Sequence, residues 1–304
     1  MSAGFDKNGE CIDGGFDIGF GFVELGTTIP QPQPGNNKPR LFRLTNDHAL
    51  INRMGCNSEG FSALLNRIKK YRKKGGKNIV GVNIGINRDS SNPIGDYVQG
   101  IKTFSSYADY IAINISSPNT PGLRSFQEKD KLTKLLTKIK ETTEELKYPK
   151  PLVFLKLSPD LSEAECLDIA KIVKDPKTSV DGLILTNTTI ERPGSLTSSL
   201  RFELGGLSGR PLKDKSTKMI KLFYELTGGT IPIIGVGGIE NGQDAFDKIA
   251  SGASLVQLYT SFTYGGFGTI NKIQRELHNI LGDKGYKSVA EAVGSSCNNF
   301  VTPQ

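Results

Sequence analysis

The chain has 304 residues, 37% of them apolar and 23% charged, with a formal net charge of +7. That is enough apolar sequence for a large core, and the ordinary charge content excludes disorder. Lys and Arg fall mainly in the predicted helices, over residues 67–74 and 129–147, alternating with apolar positions as solvated faces do. No basic stripe with interleaved aromatics points to nucleic acid, while attraction to anionic substrates or an anionic membrane surface stays open. Cys11, Cys56, Cys166 and Cys297 are widely spaced, which gives neither a disulfide framework nor a thiolate zinc site. No apolar stretch approaches the ~20 residues of a membrane span, and no signal or transit peptide is read at the start.

In chain order, Met1-Ser-Ala-Gly4 is too short for a strand, yet Phe5-Asp-Lys-Asn-Gly-Glu10 reads as the loop after one. Short apolar strands are then predicted at 21–25, 79–84, 110–115, 152–157, 182–186, 231–236 and 254–258, as for strands covered on both faces. Amphipathic helices are predicted between them at 58–73, 131–146, 162–174, 216–227 and 242–250, with a last one at 273–281. Ser58 and Ser162 read as hydroxyl caps ahead of acidic first turns. Seven β/α units and a stub predict an α/β fold of the (β/α)8 TIM-barrel type with a truncated first strand, one domain over 1–304. A doubly wound open sheet is the alternative. The barrel is favoured because polar residues follow nearly every strand rather than one switch point.

Those residues are Lys7, Thr27, Asn83, Asn114, Ser117, Lys156, Thr186-Asn187-Thr188, Gly237-Gly238 and Tyr259-Thr260. The run 112–124 turns abruptly from β-branched apolar residues to amides, hydroxyls, proline and glycine. A lysine inside Phe154-Leu-Lys-Leu157 is costly to bury alone. It reads either as an ion pair within the barrel or as a cation facing an electron-rich cofactor. Gly205-Gly-Leu-Ser-Gly209, Gly235-Val-Gly-Gly238 and Ser251-Gly-Ala253 leave backbone N–H groups open to a phosphate, which such barrels bind after strands seven and eight. With only His48 and His278, a Ser-His-Asp hydrolase or a histidine-rich metal site is disfavoured. Amides, hydroxyls and two lysines suit a planar anion beside an organic redox cofactor.

Seven motifs run in order along essentially the whole chain. They are Ala3-Gly-Phe-Asp-Lys-Asn-Gly9, Ile51-Asn-Arg-Met-Gly-Cys-Asn57, Ile113-Asn-Ile-Ser-Ser-Pro-Asn-Thr120, Leu185-Thr-Asn-Thr-Thr189, Gly205-Gly-Leu-Ser-Gly209, Ile233-Ile-Gly-Val-Gly-Gly238 and Gln257-Leu-Tyr-Thr260. In these the sequence resembles the dihydroorotate dehydrogenase family. The resemblance implies an FMN-dependent barrel that oxidises dihydroorotate to orotate in pyrimidine synthesis. It implies FMN contacts from Ala3, Gly4, Lys7, Thr27, Asn83, Asn114, Lys156, Thr186, Gly209, Gly238, Tyr259 and Thr260. Dihydroorotate would meet Lys7, Asn52, Arg53, Met54, Gly55, Cys56, Asn114, Asn119, Asn187 and Thr188. Ser117 matches the family's general base, taking the C5 proton while a hydride leaves C6 for FMN N5; as an isolated residue it reads equally as a turn cap. A serine is a poor base unaided, so a relay through water or a neighbouring hydroxyl is expected.

Serine rather than cysteine there resembles the membrane-associated, quinone-reducing class. That implies ubiquinone as acceptor, a quinone route past Arg43, Tyr259 and Thr263, peripheral membrane association, and a place on the mitochondrial inner membrane in a eukaryote. The class carries a preceding helical segment that forms the quinone tunnel. This chain is expected to lack it, together with most of the first barrel strand, which puts barrel closure at issue. Met54 and Cys56 stand where related enzymes usually carry aromatics, so a looser pocket wall is expected. The competing readings are an FMN barrel reductase with a soluble acceptor and a barrel that binds ligands without catalysing.

Overall fold

The computed structural model of the protein describes residues 1–147 and 150–297. Its strands are β1 (Phe22–Thr28), β2 (Leu41–Leu44), β3 (Ala49–Asn52), β4 (Ile79–Ile84), β5 (Tyr110–Asn114), β6 (Leu152–Leu157), β7 (Gly182–Leu185), β8 (Gly206–Gly209), β9 (Ile233–Val236) and β10 (Leu255–Gln257). Seven of them form one parallel sheet in the order β1-β4-β5-β6-β7-β9-β10. Helices Phe61–Lys73, Pro93–Phe104, Lys129–Glu145, Glu163–Lys174, Lys213–Thr227, Gly242–Ala250 and Gly268–Asp283 pack outside. The remaining strands pair antiparallel as β2-β3-β8.

The stub at the start closes the sheet. The Met1 nitrogen donates to Phe22 O at 2.8 Å and Glu24 N–H donates to Met1 O at 2.9 Å, the pattern of a parallel pair. On the other side, Ser2 N–H donates to Leu258 O at 3.0 Å, just past β10. Further on, Gly4 N–H donates to Gly26 O and Gly26 N–H to Asp6 O. Residues 1–6 therefore occupy the eighth position of the barrel, and the edges of β1 and β10 meet across them. The expected stub is a short eighth strand, and it covers the edges of β1 and β10.

Side chains alternate along each strand as the pleat demands. Val23, Leu25, Ile111, Ile113, Leu155, Leu157, Leu183, Leu185 and Ile233 face the helices and form the main core. Tyr110, Ala112, Phe154, Ile184, Ile234 and Val236 point inward and fill the barrel. Two glycines make room for the large rings: a Cβ on Gly81 would lie 2.0 Å from the Tyr110 ring, and one on Gly182 2.2 Å from Phe154. The inward parity that places Tyr110 and Phe154 low in the barrel carries Asn114 and Lys156 to its upper end.

Local chemistry agrees with most predicted boundaries. Ser162 caps helix Glu163–Lys174 in a reciprocal capping box with Glu165. The start predicted at Ser58 is corrected. That helix begins at Phe61 behind Gly60, while Ser58 pairs its backbone with Gln33 and turns its hydroxyl to Gly60 N–H at 3.0 Å. Strand 231–236 shortens to β9 because Pro232 has no N–H to offer a ladder. Helix Pro93–Phe104, capped by Asn92, was not predicted.

Candidate active site

The barrel interior carries a charge cluster centred on Glu24, which is fully buried. Lys156 Nζ lies 3.2 Å from Glu24 Oε1, and Asn83 Nδ2 donates to the same oxygen at 2.9 Å. Tyr110 OH and Gln257 Nε2 donate to Oε2 at 3.0 and 2.7 Å. Burial opposes the carboxylate, but the Lys156 ammonium and these three donors outweigh it and hold the Glu24 carboxyl below its ordinary range. Both readings of Lys156 therefore meet in one residue. It is ion-paired inside the barrel, and it also lines the cavity above.

That cavity lies at the carboxyl ends of the strands, has a volume of about 160 Å³ with one side open to solvent, and is roofed by the β2-β3-β8 sheet. Its lining takes in Ala3, Gly4, Lys7, Thr27, Asn52, Met54, Gly55, Cys56, Asn114, Ser117, Asn119, Lys156, Thr186, Asn187, Thr188, Gly209, Gly238, Tyr259 and Thr260. The amides form two hydrogen-bonded sets at the mouth. Asn119 Nδ2 donates to Asn52 Oδ1 at 3.1 Å, and Asn187 Nδ2 donates to Asn114 Oδ1 at 3.2 Å. Asn114 Nδ2 in turn donates to Thr27 Oγ1 at 2.9 Å. These bonds fix which amide atoms remain free for a ligand. Ser117 faces the cavity while its Oγ accepts from Asn119 N–H at 3.3 Å, so it caps its turn as well. Cys56, at φ +53°, closes the wall by bringing Sγ 3.2 Å from Thr120 Oγ1. Burial lowers the pKa of Lys7, which Cys56 partly counters and Arg40 reinforces.

Glycines shape the other part of the cavity. Gly238 sits at φ +71°, and a Cβ there would lie 2.7 Å from the backbone nitrogen of Lys213. Gly209, at φ +93°, would drive a Cβ to 2.3 Å from His48 O. Only glycine fits either position. Two cavity-lining polar atoms, Gln257 Oε1 and Ser261 Oγ, are buried without a partner. Unsatisfied atoms, a cradle that admits no Cβ and a cation lining the same cavity are what a large polar cofactor with a phosphate would meet.

Four predicted residues do not line the cavity. Asn83 is fully buried beneath it, accepting from Thr27 Oγ1 at 2.6 Å. Arg53 turns outward to Glu203 and lies over the Phe42 ring. Arg43 stacks on Tyr264 at 4.8 Å, and Thr263 Oγ1 donates to Tyr259 O at 3.1 Å inside the helix Thr260–Gly265. Of the expected quinone route, Tyr259 alone reaches the cavity. Burial raises its pKa, so its hydroxyl stays protonated. Sequence reading missed Glu24, although a lone carboxylate in an apolar strand was the visible signal. It also missed Gln257 as a lining residue and Ser261.

Parallel strands closed into a ring, with polar groups gathered at their carboxyl ends, define an α/β-barrel enzyme. The family profile described as dihydroorotate dehydrogenase matches residues 1–281. The chain is 48% identical over 300 residues to a mouse (Mus musculus) protein named dihydroorotate dehydrogenase (quinone), mitochondrial, covering 97% of this chain and 75% of that one. It is 46% identical over 297 residues to the Rhodospirillum rubrum dihydroorotate dehydrogenase (quinone), covering 97% and 79%. A ligand-free crystal structure of DHODH from Eimeria tenella superposes with a TM-score of 0.94 at 44% identity, over 98% of this chain and 88% of that one. The chain belongs to the dihydroorotate dehydrogenase family and is an oxidoreductase.

Proposed function

We propose that this enzyme oxidises dihydroorotate to orotate with FMN and passes the electrons to a quinone. The observation that carries the reading is a single cavity lined both by Ser117 with four asparagines and by the glycine loops of 209 and 237–238. The names of the mouse and Rhodospirillum relatives support the same substrate and acceptor. FMN, when bound, supplies the acceptor for the hydride from C6. Its phosphate is assigned to Gly209, Gly238, Tyr259 and Thr260, and its electron-rich ring to Lys156. Ala3, Gly4, Thr27 and Thr186 complete the lining on that side.

The protein's own groups do the rest. Asn52, Asn114, Asn119, Asn187 and Thr188 hold the flat amide-bearing ring, and Lys7 meets the carboxylate. Because burial works against the Lys7 ammonium, an anionic ligand is its natural partner. Ser117 Oγ accepts the C5 proton, and Thr120, a buried hydroxyl in the same loop bonded to Cys56 Sγ, passes it on. The mouse, rice and Arabidopsis relatives, each named mitochondrial, support a mitochondrial setting; peripheral contact with the inner membrane is the further part of the proposal. Among the described residues no helix is long and apolar enough to cross a membrane.

The test is rapid mixing of anaerobic FMN-loaded enzyme with dihydroorotate, following flavin bleaching. Ser117→Ala is expected to slow bleaching by about 10²–10⁴-fold with FMN content unchanged. An unchanged rate removes Ser117 as the base. Protein that takes up no FMN supports a barrel that merely binds ligands, and reoxidation by fumarate or NAD instead of a ubiquinone analogue supports a soluble acceptor.

A further inference from the structure

We propose that Arg124, clamped by Asp160, is a positioning residue that sets the Ser117 loop against the Asn187–Thr188 loop. The inference rests on the reading of Ser117 as the base. Arg124 lies in a short 3-10 turn, Leu123–Gln127, seven residues beyond Ser117. It does not line the cavity. Its guanidinium instead spans three segments at once. Nε donates to Ser116 O at 3.2 Å, Nη2 to Thr188 O at 3.0 Å, and Nη1 to Asp160 Oδ2 at 2.9 Å. The first carbonyl belongs to the residue before the base, the second to a residue assigned to substrate. Both lie beyond the ends of β5 and β7, where no ladder bond holds them.

Asp160 is the fixed post of this clamp. It follows β6 and accepts from Lys215 Nζ at 2.8 Å, from Ile190 N–H at 2.9 Å and from the Thr189 hydroxyl. Burial opposes its ionisation, but Lys215, Thr189, Ile190 and Arg124 together hold its carboxyl below the ordinary range. The loops after β5, β6 and β7 and the helix Lys213–Thr227 thus converge on one carboxylate. A guanidinium fork is rigid and planar, so its three bonds transmit that fixed point to Ser116 and Thr188 together. A lysine offers no such fork. A displacement of about 1 Å at the reacting groups costs on the order of 10²-fold in rate, which sets the effect expected.

The experiment compares Arg124→Met and Arg124→Lys, each alone and combined with Ser117→Ala, as FMN-loaded enzymes. Alone, Arg124→Met is expected to lower the limiting rate of flavin reduction by about 100-fold. Reoxidation by a ubiquinone analogue and FMN content should stay unchanged, and Arg124→Lys should recover only a small part. In the Ser117→Ala background, Arg124→Met should cost markedly less than it does alone, because the share transmitted through the base is gone and only the share through Thr188 remains. Equal losses in both backgrounds, or no loss in either, overturn the proposal even if Ser117→Ala alone slows reduction as expected. If Ser117→Ala alone has no effect, the assignment of the base falls first. Should Arg124→Met fail to fold, Lys215→Met loosens Asp160 from its other side and is read against the same two criteria.

Discussion

Lys156 and Lys248 are both buried in this protein, and they live by different rules. Lys156 stands in the barrel interior with a carboxylate, Glu24, 3.2 Å away, and every oxygen of that carboxylate is occupied. Lys248 lies between helices Gly242–Ala250 and Lys213–Thr227, outside the sheet, and is fully buried. Its ammonium touches only neutral oxygens: Thr217 Oγ1 at 3.0 Å, Ser216 Oγ at 3.1 Å and Lys213 O at 3.3 Å. Of the carboxylates within its field, Asp244, Asp214 and Asp247, the one with the largest effect, Asp244, is already paired with Lys213. Burial therefore prevails and lowers the Lys248 pKa to about 7. Both are buried, in opposite surroundings: Lys156 faces a carboxylate and Lys248 faces neutral oxygens. The partner decides, and only the paired lysine opens onto the cavity.

The largest effect that follows is at Lys156. Replacing it with Met leaves Glu24 buried with no cation, and breaking such a pair costs about 3–5 kcal/mol. Urea unfolding of Lys156→Met should show that loss, and the variant should purify with little FMN. Adding Glu24→Gln should recover part of the stability without the flavin, since the stranded charge is gone but the cavity cation is still missing. Acid sharpens the point. Because Glu24 titrates below its ordinary value, the stability it contributes is complete at neutral pH and is lost as pH falls through the lowered folded value. A loss at Lys156 no larger than at Lys248 would break the comparison.

Much of this was legible in the chain because period and position speak plainly in parallel barrels. Strands β4 and β6 coincide with the predicted 79–84 and 152–157, since residues covered on both faces read as apolar runs with turn signals at each end. Lys156 was visible for the same reason, as a charge out of place. The antiparallel roof was not visible. Its strands have four residues each, β8 is a Gly-Leu-Ser-Gly segment, and its register with β3 joins Leu50 to Ser208 across the chain. No local pattern encodes a pairing that distant. Helix Pro93–Phe104 hid behind Gly95 and Gly100, the second of which lets the helix close on Ile84. Arg124 and Asp160 sit in loops, where only folded geometry shows which carbonyl an arginine will reach.

The smaller effect is at Lys248 and is a matter of pH. Its folded pKa of about 7 lies below the ordinary lysine value of 10.5, so between those limits the unfolded chain binds a proton that the folded one does not. Stability from this group therefore rises with pH across that window, by about 1.4 kcal/mol per unit at most. Below about pH 7 both states are protonated, and the cost of burying the ammonium is present in full. Lys248→Met removes both the cost and the slope. Measured by urea unfolding, the variant's stability relative to the wild type should fall by about 2 kcal/mol between pH 6.5 and pH 8.5. The neutral hydroxyls of Ser216 and Thr217 can turn to other acceptors, and Ser216 Oγ already donates to Val236 O. A difference between variant and wild type that does not change with pH would mean Asp244 holds Lys248 charged. The two lysines would then differ in address alone.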